Sequence, residues 1–352
     1  MSFLKLKNKI YLGLDITPTH VKIVEISGSL NNITLENYVI HEMPSHAFQD
    51  GHFSELDTIS NAVKEAWQKL KTNNKLVAIA LPFDSVNSKQ ILVQADISPE
   101  DMYAQVSMEI AQSIPFKLDE VNFDYRIIGL NLTQPEYNDV VWIAGKKDKI
   151  EERLAVLETA GLTAKILDID NRTILSSLVS MESENDDIGN ILHVSINNTN
   201  TITQILREDN IIYDREVHNL NMNNFLRSYA NHLDMTANEA YHHMLHEDID
   251  SQLEMQIIRP FFDSVYTEIN RSKQFFINSS TYTAISKVIV SGEGANIPGI
   301  DDFLAEKLEV NVEVANPMTN IKIAKNVSKE VLLYDAPLLM TAFGLALRSF
   351  HP

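Results

Sequence analysis

Lys9-Ile-Tyr-Leu-Gly-Leu-Asp-Ile-Thr-Pro-Thr-His-Val-Lys-Ile-Val-Glu-Ile26 consists of two apolar runs around a polar turn, with Asp15 at the end of the first run. This pattern predicts a strand, a tight turn and a second strand. The shape returns at Ile191-Leu-His-Val-Ser-Ile-Asn-Asn-Thr-Asn-Thr-Ile-Thr-Gln-Ile-Leu206, where Ser195 stands in the place of the aspartate. A duplicated turn predicts a two-lobed phosphate-binding fold. One hairpin turn from each lobe points backbone N–H groups at phosphates, and a carboxylate on each turn orients a hydrated Mg²⁺. A turn without its carboxylate predicts a clamp no longer kept for catalysis.

Composition sets the limits around this pattern. At 352 residues, 44% hydrophobic and 22% charged, the chain is long enough for two cores. The sequence has no cysteine, which removes disulfides, thiolate metal sites and cysteine nucleophiles and fits a reducing, cytoplasmic compartment. No run reaches the roughly 20 apolar residues of a spanning helix, and the N-terminus lacks a signal-peptide core. Phe3, Leu4 and Leu6, interleaved with Lys5, Lys7 and Lys9, read as a frayed terminus. A formal net charge of −19 repels phosphate backbones and argues against nucleic-acid binding.

Along the chain, residues 9–45 read as strands closed by turns. Leu56, Ile59, Ala62, Val63, Ala66, Trp67 and Leu70 recur at helical spacing, and Leu76–Leu81 reads as a buried strand. From Ser88 the texture changes. Lys89–Val93 is strand-like, Ser98-Pro99 opens a helix running towards Ser113, and Pro115 stops it. Asn122–Gly129 and Asp139–Ala144 alternate as strands, and the helix Asp148–Ala160 ends at Gly161. This block, residues 83–162, reads as a subdomain inserted into a first lobe whose core is residues 1–82 and 163–186. Ala164–Asp170 is a strand, with Asn171 as the cap of a helix reaching Met181. The acidic stretch Glu182–Asp187 suits a hinge. A second lobe over 187–334 opens with strands at 191–197, 200–207 and 210–216. Helical segments follow at 222–246 and 253–278, then a strand at Lys287–Ser291. Residues 335–352 return to the first lobe, with an apolar helix over Ala336–Ser349.

Val290-Ser-Gly-Glu-Gly-Ala295 supplies a third element, a glycine turn after a strand that lets backbone approach a nucleoside. Two hairpin turns and this loop, in this order, are the pattern of the α/β actin/Hsp70/sugar-kinase superfold. Further stretches carry a closer likeness: Glu109-Ile-Ala-Gln-Ser-Ile-Pro-Phe-Lys-Leu-Asp-Glu-Val-Asn-Phe-Asp-Tyr125, Glu268-Ile-Asn-Arg-Ser272, Val290–Gly299, Ala315-Asn-Pro317 and Ala342–Arg348. Over nearly its whole length the chain resembles the PilM family of actin-like type IV pilus assembly proteins, related in fold to FtsA. The resemblance implies a two-lobed actin-like fold with an FtsA-like inserted subdomain. It implies ATP with Mg²⁺ between the lobes and a first-lobe groove that captures the N-terminal cytoplasmic peptide of a PilN-like inner-membrane protein. It also implies contacts with other pilus assembly proteins, self-association, and a place at the inner membrane through the partner.

The positions that the resemblance assigns to nucleotide are Asp15, Thr17, Thr19 and Lys22 in the first loop. In the second they are Ser195, Asn197, Asn198 and Thr199, and further on Glu268, Gly292, Glu293 and Gly294; Asp15 is also the Mg²⁺ ligand. The peptide groove is expected at Ile91, Val93, Glu109, Ile114, Pro115 and Phe116, with core packing as the competing role of Ile114 and Phe116. Three departures count against hydrolysis. Asp15-Ile-Thr-Pro stands where the family has Asp-Ile-Gly, and Pro18 has no N–H to give a phosphate. Ser195 replaces a carboxylate, and Glu293 brings negative charge to a position that is often glycine. The expectation is a scaffold with weak or no ATPase activity. An FtsA-like or type II secretion adaptor and an active ATPase or small-molecule kinase are the alternatives. The FtsA-like reading is disfavoured because no amphipathic helix follows His351-Pro352. His242, His243 and His246 offer helical metal spacing without carboxylate partners and read as a solvated face. No Gly-x-Ser-x-Gly nucleophile motif is present, and Asp168 and Asp170 read as capping or orienting carboxylates.

Overall fold

The computed structural model describes residues 10–44, 46–49, 52–131, 133–182, 189–207, 210–279 and 284–350. The N-terminal Phe3–Lys9 segment, most of the acidic hinge stretch and His351-Pro352 lie outside them. The opening turn sits in an antiparallel meander of β1 (Leu12–Ile16), β2 (His20–Ser29) and β3 (Asn32–Glu42). The register sets Asp15 opposite Lys22 and Ile16 opposite Val21, so both charges stand beside the turn. A short hairpin, β4 (Phe48–Gln49) and β5 (His52–Phe53), packs Phe48 edge-on to Phe53. α1 (Leu56–Leu70) buries Ile59, Ala62, Val63, Ala66 and Leu70. Each of its large aliphatic side chains contributes about 1.5–3 kcal/mol by leaving water. β6 (Leu76–Leu81) runs parallel beside β1.

The inserted unit contains β7 (Val86–Gln94), α2 (Pro99–Ser113), β8 (Val121–Leu130) and β9 (Tyr137–Lys146). Ser98 caps α2 by accepting from the Asp101 N–H, and the helix ends one residue before the Ile114-Pro115 pair, where proline disfavours helical geometry. The strands lie in the order β7-β9-β8, and α2 packs on one face around Val106, Ile110, Val140 and Trp142. The chain rejoins the first lobe with α3 (Lys147–Ala160), β10 (Thr163–Ile169) parallel to β6, and α4 (Asp170–Met181).

The second lobe repeats the plan with β11 (Ile191–Ile196), β12 (Thr201–Arg207) and β13 (Asn210–Val217) as its meander. Helices α5 (Met222–Leu233), α6 (Ala237–His246), α7 (Ser251–Leu253) and α8 (Arg259–Ser279) follow, then β14 (Lys287–Ser291), α9 (Ile300–Leu308) and β15 (Asn311–Val314). Its sheet order, β13-β12-β11-β14-β15, matches β3-β2-β1-β6-β10 of the first sheet. Two copies of one topology therefore face each other across a cleft. The chain is back on the first sheet by β16 (Lys322–Ile323), which pairs with β3, and closes with α10 (Lys329–Asp335) and α11 (Met340–Leu347). α11 is apolar all round because it is buried all round, with Ala342, Phe343, Leu345 and Ala346 fully enclosed. Gly13 lets it lie directly on β1: a Cβ there would fall 1.8 Å from the Ala342 carbonyl oxygen.

Four local expectations are revised. The segment 222–246 is two helices, because Asp234 takes a left-handed conformation (φ 53°) and Thr236 starts a new helix in a capping box with Glu239. The segment from 253 contains a π turn over Glu254–Ile258, just ahead of Pro260, whose missing N–H interrupts the regular ladder. The last helix opens as a 3₁₀ turn over Ala336–Leu338 around Pro337. Asn171 does not cap α4. The helix begins at Asp170, whose Oδ1 accepts the N–H groups of Asn171 (2.6 Å) and Phe83 (3.0 Å). Among the described residues no single helix is long and apolar enough to cross a membrane.

Candidate functional site: the interlobe cleft and its groove

The two hairpin turns meet across the cleft with many of their polar groups already used. In the first, the Thr17 N–H donates to the His20 carbonyl at 2.9 Å and the His20 N–H to Thr17 Oγ1 at 3.0 Å, with Pro18 between them lacking an N–H. In the second, the Asn197 N–H donates to the Asn200 carbonyl at 2.8 Å, and Ser195 Oγ donates to Asn197 Oδ1 at 2.9 Å. Gly292 opens the third loop at φ 78°, a conformation that favours glycine, and its N–H donates to the Pro337 carbonyl at 2.9 Å. The lobes are also tied directly: Asn198 Nδ2 donates to Thr19 Oγ1 at 2.9 Å.

Asp15, Lys22 and Glu293 form a row of alternating charge, with Asp15 partly buried and the other two buried. Lys22 Nζ stands 3.8 Å from Asp15 Oδ2 on its own lobe and 3.8 Å from Glu293 Oε1 on the other. Lys22 and Glu293 are only 6% and 5% exposed, so the attraction is weakly screened. Burial pushes the Asp15 carboxyl up, against the pull of Lys22 and Arg153. Burial, aided by the Lys22 ammonium, pushes the His20 imidazole down, and its Nδ1 lies 3.8 Å from Glu293 Oε1. Glu293 Oε2 is buried with no hydrogen-bond partner among the described residues.

A hydrated Mg²⁺ is held by hard oxygen donors. Here the first turn offers Asp15 with an ammonium beside it, the second offers only the Ser195 hydroxyl, and Glu293 is turned towards Lys22. The cation in this row is the protein's own.

A cavity of about 820 Å³ extends from the turns to the inserted unit, a volume suited to a small ligand or a peptide segment. Asp15, Thr17, Thr19, Lys22, Ser195, Asn197, Asn198, Thr199, Gly292 and Glu293 are all on its wall. Gly294 is not: it backs onto Ile196, and a Cβ there would come within 2.4 Å of that side chain. Glu268 also lies off the wall, where it holds Arg215 Nε at 2.6 Å within the second lobe.

Of the groove residues, Pro115 and Phe116 line the cavity, and Lys146 Nζ lies 4.0 Å from the centre of the Phe116 ring. Val93 and Ile114 do not reach it. They are 2% and 7% exposed because strand alternation and the end of α2 turn both into the inserted unit's own core. Ile91 is half-buried against the same core. Glu109 lies on α2 with Lys89 Nζ at 2.6 Å, a hydrogen bond that holds its carboxyl below the usual range.

The sequence reading missed Phe48, Phe53, Lys146, Lys149 and Arg153, which complete the wall beside Phe116. Arg153 lies over the Phe53 ring at 4.8 Å. These residues come from a two-residue-stranded hairpin, the last residue of β9 and the first two turns of α3, and only tertiary packing brings them together. Elsewhere, the His242 and His246 rings meet at a tilt with their centres 4.6 Å apart, His243 bonds the Tyr229 hydroxyl at 2.9 Å, and Asp168 pairs with Arg348 at 3.3 Å. Among the described residues no group of three His, Asp or Glu side chains is disposed to hold a metal.

The sequence profile of the type IV pilus assembly protein PilM family matches residues 13–350. Among solved structures the chain is similar to the PilM-PilN type IV pilus biogenesis complex. That likeness has a TM-score of 0.82 and 25% identity and covers 98% of this chain and 100% of that one. It is also similar to the ethanolamine utilization protein EutJ from Carboxydothermus hydrogenoformans, with a TM-score of 0.53 and 13% identity over 96% of this chain and 89% of that one, a likeness of fold alone. The fold is thus the two-lobed actin-like one that the paired turns predict. With that fold and a family match over nearly its whole length, this chain belongs to the type IV pilus assembly protein PilM family.

Proposed function

We propose that this chain is a cytoplasmic scaffold of type IV pilus assembly. It captures the N-terminal cytoplasmic peptide of a PilN-like inner-membrane protein in the groove between the first lobe and the inserted unit. The observation that carries this reading is the groove wall: Pro115, Phe116 and Phe53 give apolar surface, with Lys146 and Arg153 placed over two of the rings. Such a wall suits an extended peptide that buries apolar side chains while its carbonyl and carboxylate oxygens meet the cations. The likeness to a solved complex of a PilM with a PilN supports the partner's identity. Through that partner the scaffold would sit at the inner membrane, where other pilus assembly proteins would join it.

The cleft between the lobes takes the lesser role. Hydrolysis requires an oriented metal and water, and the carboxylate set for them is incomplete at Ser195. Thr199 remains to hold a nucleotide, Thr19 and Asn198 would do so by giving up their mutual hydrogen bond, and Lys22 would answer its phosphates only by leaving Glu293. ATP, when bound, supplies the triphosphate charge that such an exchange requires. Weak or absent turnover follows.

A pull-down with the cytoplasmic peptide of the PilN-like protein tests the placement. Wild type and Glu109→Ala are expected to retain the peptide, and Phe116→Ala to lose most of it. Equal retention by all three would move the groove elsewhere.

A further inference from the structure

The end of the first sheet where β1 begins is basic, although the chain is acidic. The β1 registers, with Leu12 beside Val77 and Gly13 beside Val24, carry Ile10 to the level of Lys75 on one side and Ser27 on the other. Asn74 Nδ2 holds it there by donating to the Ile10 carbonyl at 3.0 Å. The Lys75 carbonyl accepts the Thr163 N–H at 2.8 Å, so the start of β10 lies at the same level. Four stretches therefore converge on one pole: residues 1–14, 26–35, 71–83 and 159–167. Together they hold six lysines and no Asp or Glu, in a chain with 48 acidic residues.

Three of those lysines, Lys5, Lys7 and Lys9, are interleaved with Phe3, Leu4 and Leu6. Alone, such a tail is a frayed end; here the fold sets three more lysines beside the point where it joins. Lys71, Lys75 and Lys165 are exposed, and none has an ion pair among the described residues. Leu30, at the tip of the turn between β2 and β3 on the same pole, is 50% exposed. Two carboxylates of the neighbouring strands are turned to hydroxyls: Glu25 accepts from Thr72 Oγ1 at 2.7 Å, and Glu36 accepts from Ser27. Asp168 is held by Arg348, which leaves Glu158, in the last turn of α3, as an exposed carboxylate on the rim.

We propose that this pole is a membrane-docking surface whose occupant is an anionic phospholipid bilayer. Phe3, Leu4, Leu6 and Leu30 enter the boundary between headgroups and acyl chains, while the lysines meet lipid phosphates. Neither part suffices alone, because stable attachment takes an apolar insertion and a polybasic patch together. A bilayer fits better than nucleic acid, whose phosphate backbone has no place for four apolar side chains. It fits better than an acidic protein, because lysines spread over separate stretches on long flexible stems suit mobile headgroups more than fixed partners. The net charge of −19 does not forbid the contact. At physiological salt the screening length is about 8 Å, so carboxylates of the second lobe and the inserted unit act little on lipids at this pole.

This contact rests on the reading of the chain as an inner-membrane scaffold and adds an attachment that does not use the PilN-like partner. The cavity opens at the Asp15 end of β1 and the pole lies at its Leu12 end, so the two surfaces are separate.

Co-sedimentation of the full chain, without partner or nucleotide, with vesicles of mixed phosphatidylglycerol and phosphatidylcholine tests the proposal. Binding is expected to exceed that to pure phosphatidylcholine at least about fivefold at about 0.1 M salt, and to fall several-fold at about 0.5 M. A variant lacking residues 2–9 and the variant Lys71→Glu/Lys75→Glu are each expected to lose binding at least about fivefold. Arg227→Glu/Lys307→Glu makes the same change of charge at exposed positions of the second lobe and is expected to bind as wild type does. Circular dichroism confirms that each variant is folded. Wild type that stays in the supernatant, equal binding to both kinds of vesicle, pole variants that bind as well as wild type, or a second-lobe variant that loses as much as they do would each overturn it. Vesicle binding by a wild type that fails to retain the partner's peptide would uphold this surface and remove only the groove reading.

Discussion

Lys22 and Glu293 come from different lobes, yet the ammonium of one lies 3.8 Å from the carboxylate of the other, both buried in the cleft. Glu293 therefore occupies, electrostatically, the role of a phosphate. An anionic ligand must displace it before Lys22 is available.

Removing that carboxylate is expected to unmask the cleft. Glu293→Ala should raise affinity for ATP about tenfold, or about 1.4 kcal/mol, and Lys22→Met should remove the gain. Calorimetry of the three proteins reads this directly; an Ala variant no better than wild type removes the competition argument. Wild type with sub-micromolar Mg-ATP affinity and turnover near ~1 s⁻¹, the low end of ordinary enzymes, would show a working ATPase instead.

Phe116 and Ile114 are two residues apart and are expected to separate binding from stability. Ile114→Ala empties a site in the inserted unit's core and should cost about 2–4 kcal/mol. Phe116→Ala should cost less stability and far more peptide. Urea midpoints set beside peptide retention distinguish the two, and the same pattern for both variants would contradict the assignment.

His193 is expected to set an acid limb on stability. It is fully buried between Gln204 (3.2 Å) and Ser291 (2.8 Å), and burial pushes its pKa from 6.5 to about 4. The unfolded chain therefore binds the proton first as pH falls. Stability is full above pH 6.5 and declines from there to about pH 4, by on the order of 3 kcal/mol in all. His193→Gln should flatten that limb in urea titrations at pH 7 and pH 5. An unchanged slope would assign the acid sensitivity to other groups.

Gly13→Ala is expected to fail at the seat of α11. The new methyl meets the Ala342 carbonyl oxygen and the Ala346 nitrogen, both backbone, at 1.8 and 2.5 Å, so the helix must move. A loss of about 3 kcal/mol or an insoluble product should follow. A thermal midpoint near that of wild type would show that α11 shifts more easily than this packing allows.

Much of the fold was legible because it rests on local rules. Alternation around Asp15 located β1 and β2, helical spacing located α1, and Ser98-Pro99 and Pro115 bracketed α2 within a residue. What was not legible depends on which surfaces meet. No local signal says that Val93 faces α2 while Phe116 faces the cavity, or that Lys146 crosses to the Phe116 ring. In the sequence, Glu293 is a repulsive charge near a nucleotide. Only the closeness of the lobes shows that its partner is Lys22. The break at Asp234 was hidden because the apolar spacing continues on both sides of it.

The most direct test is a calorimetric titration of the partner's cytoplasmic peptide into the wild-type chain in EDTA without nucleotide. The account predicts saturable binding with Kd on the order of 1–10 μM. Absence of binding until Mg-ATP is added would contradict it, because the groove would then depend on nucleotide chemistry that this cleft is argued to lack.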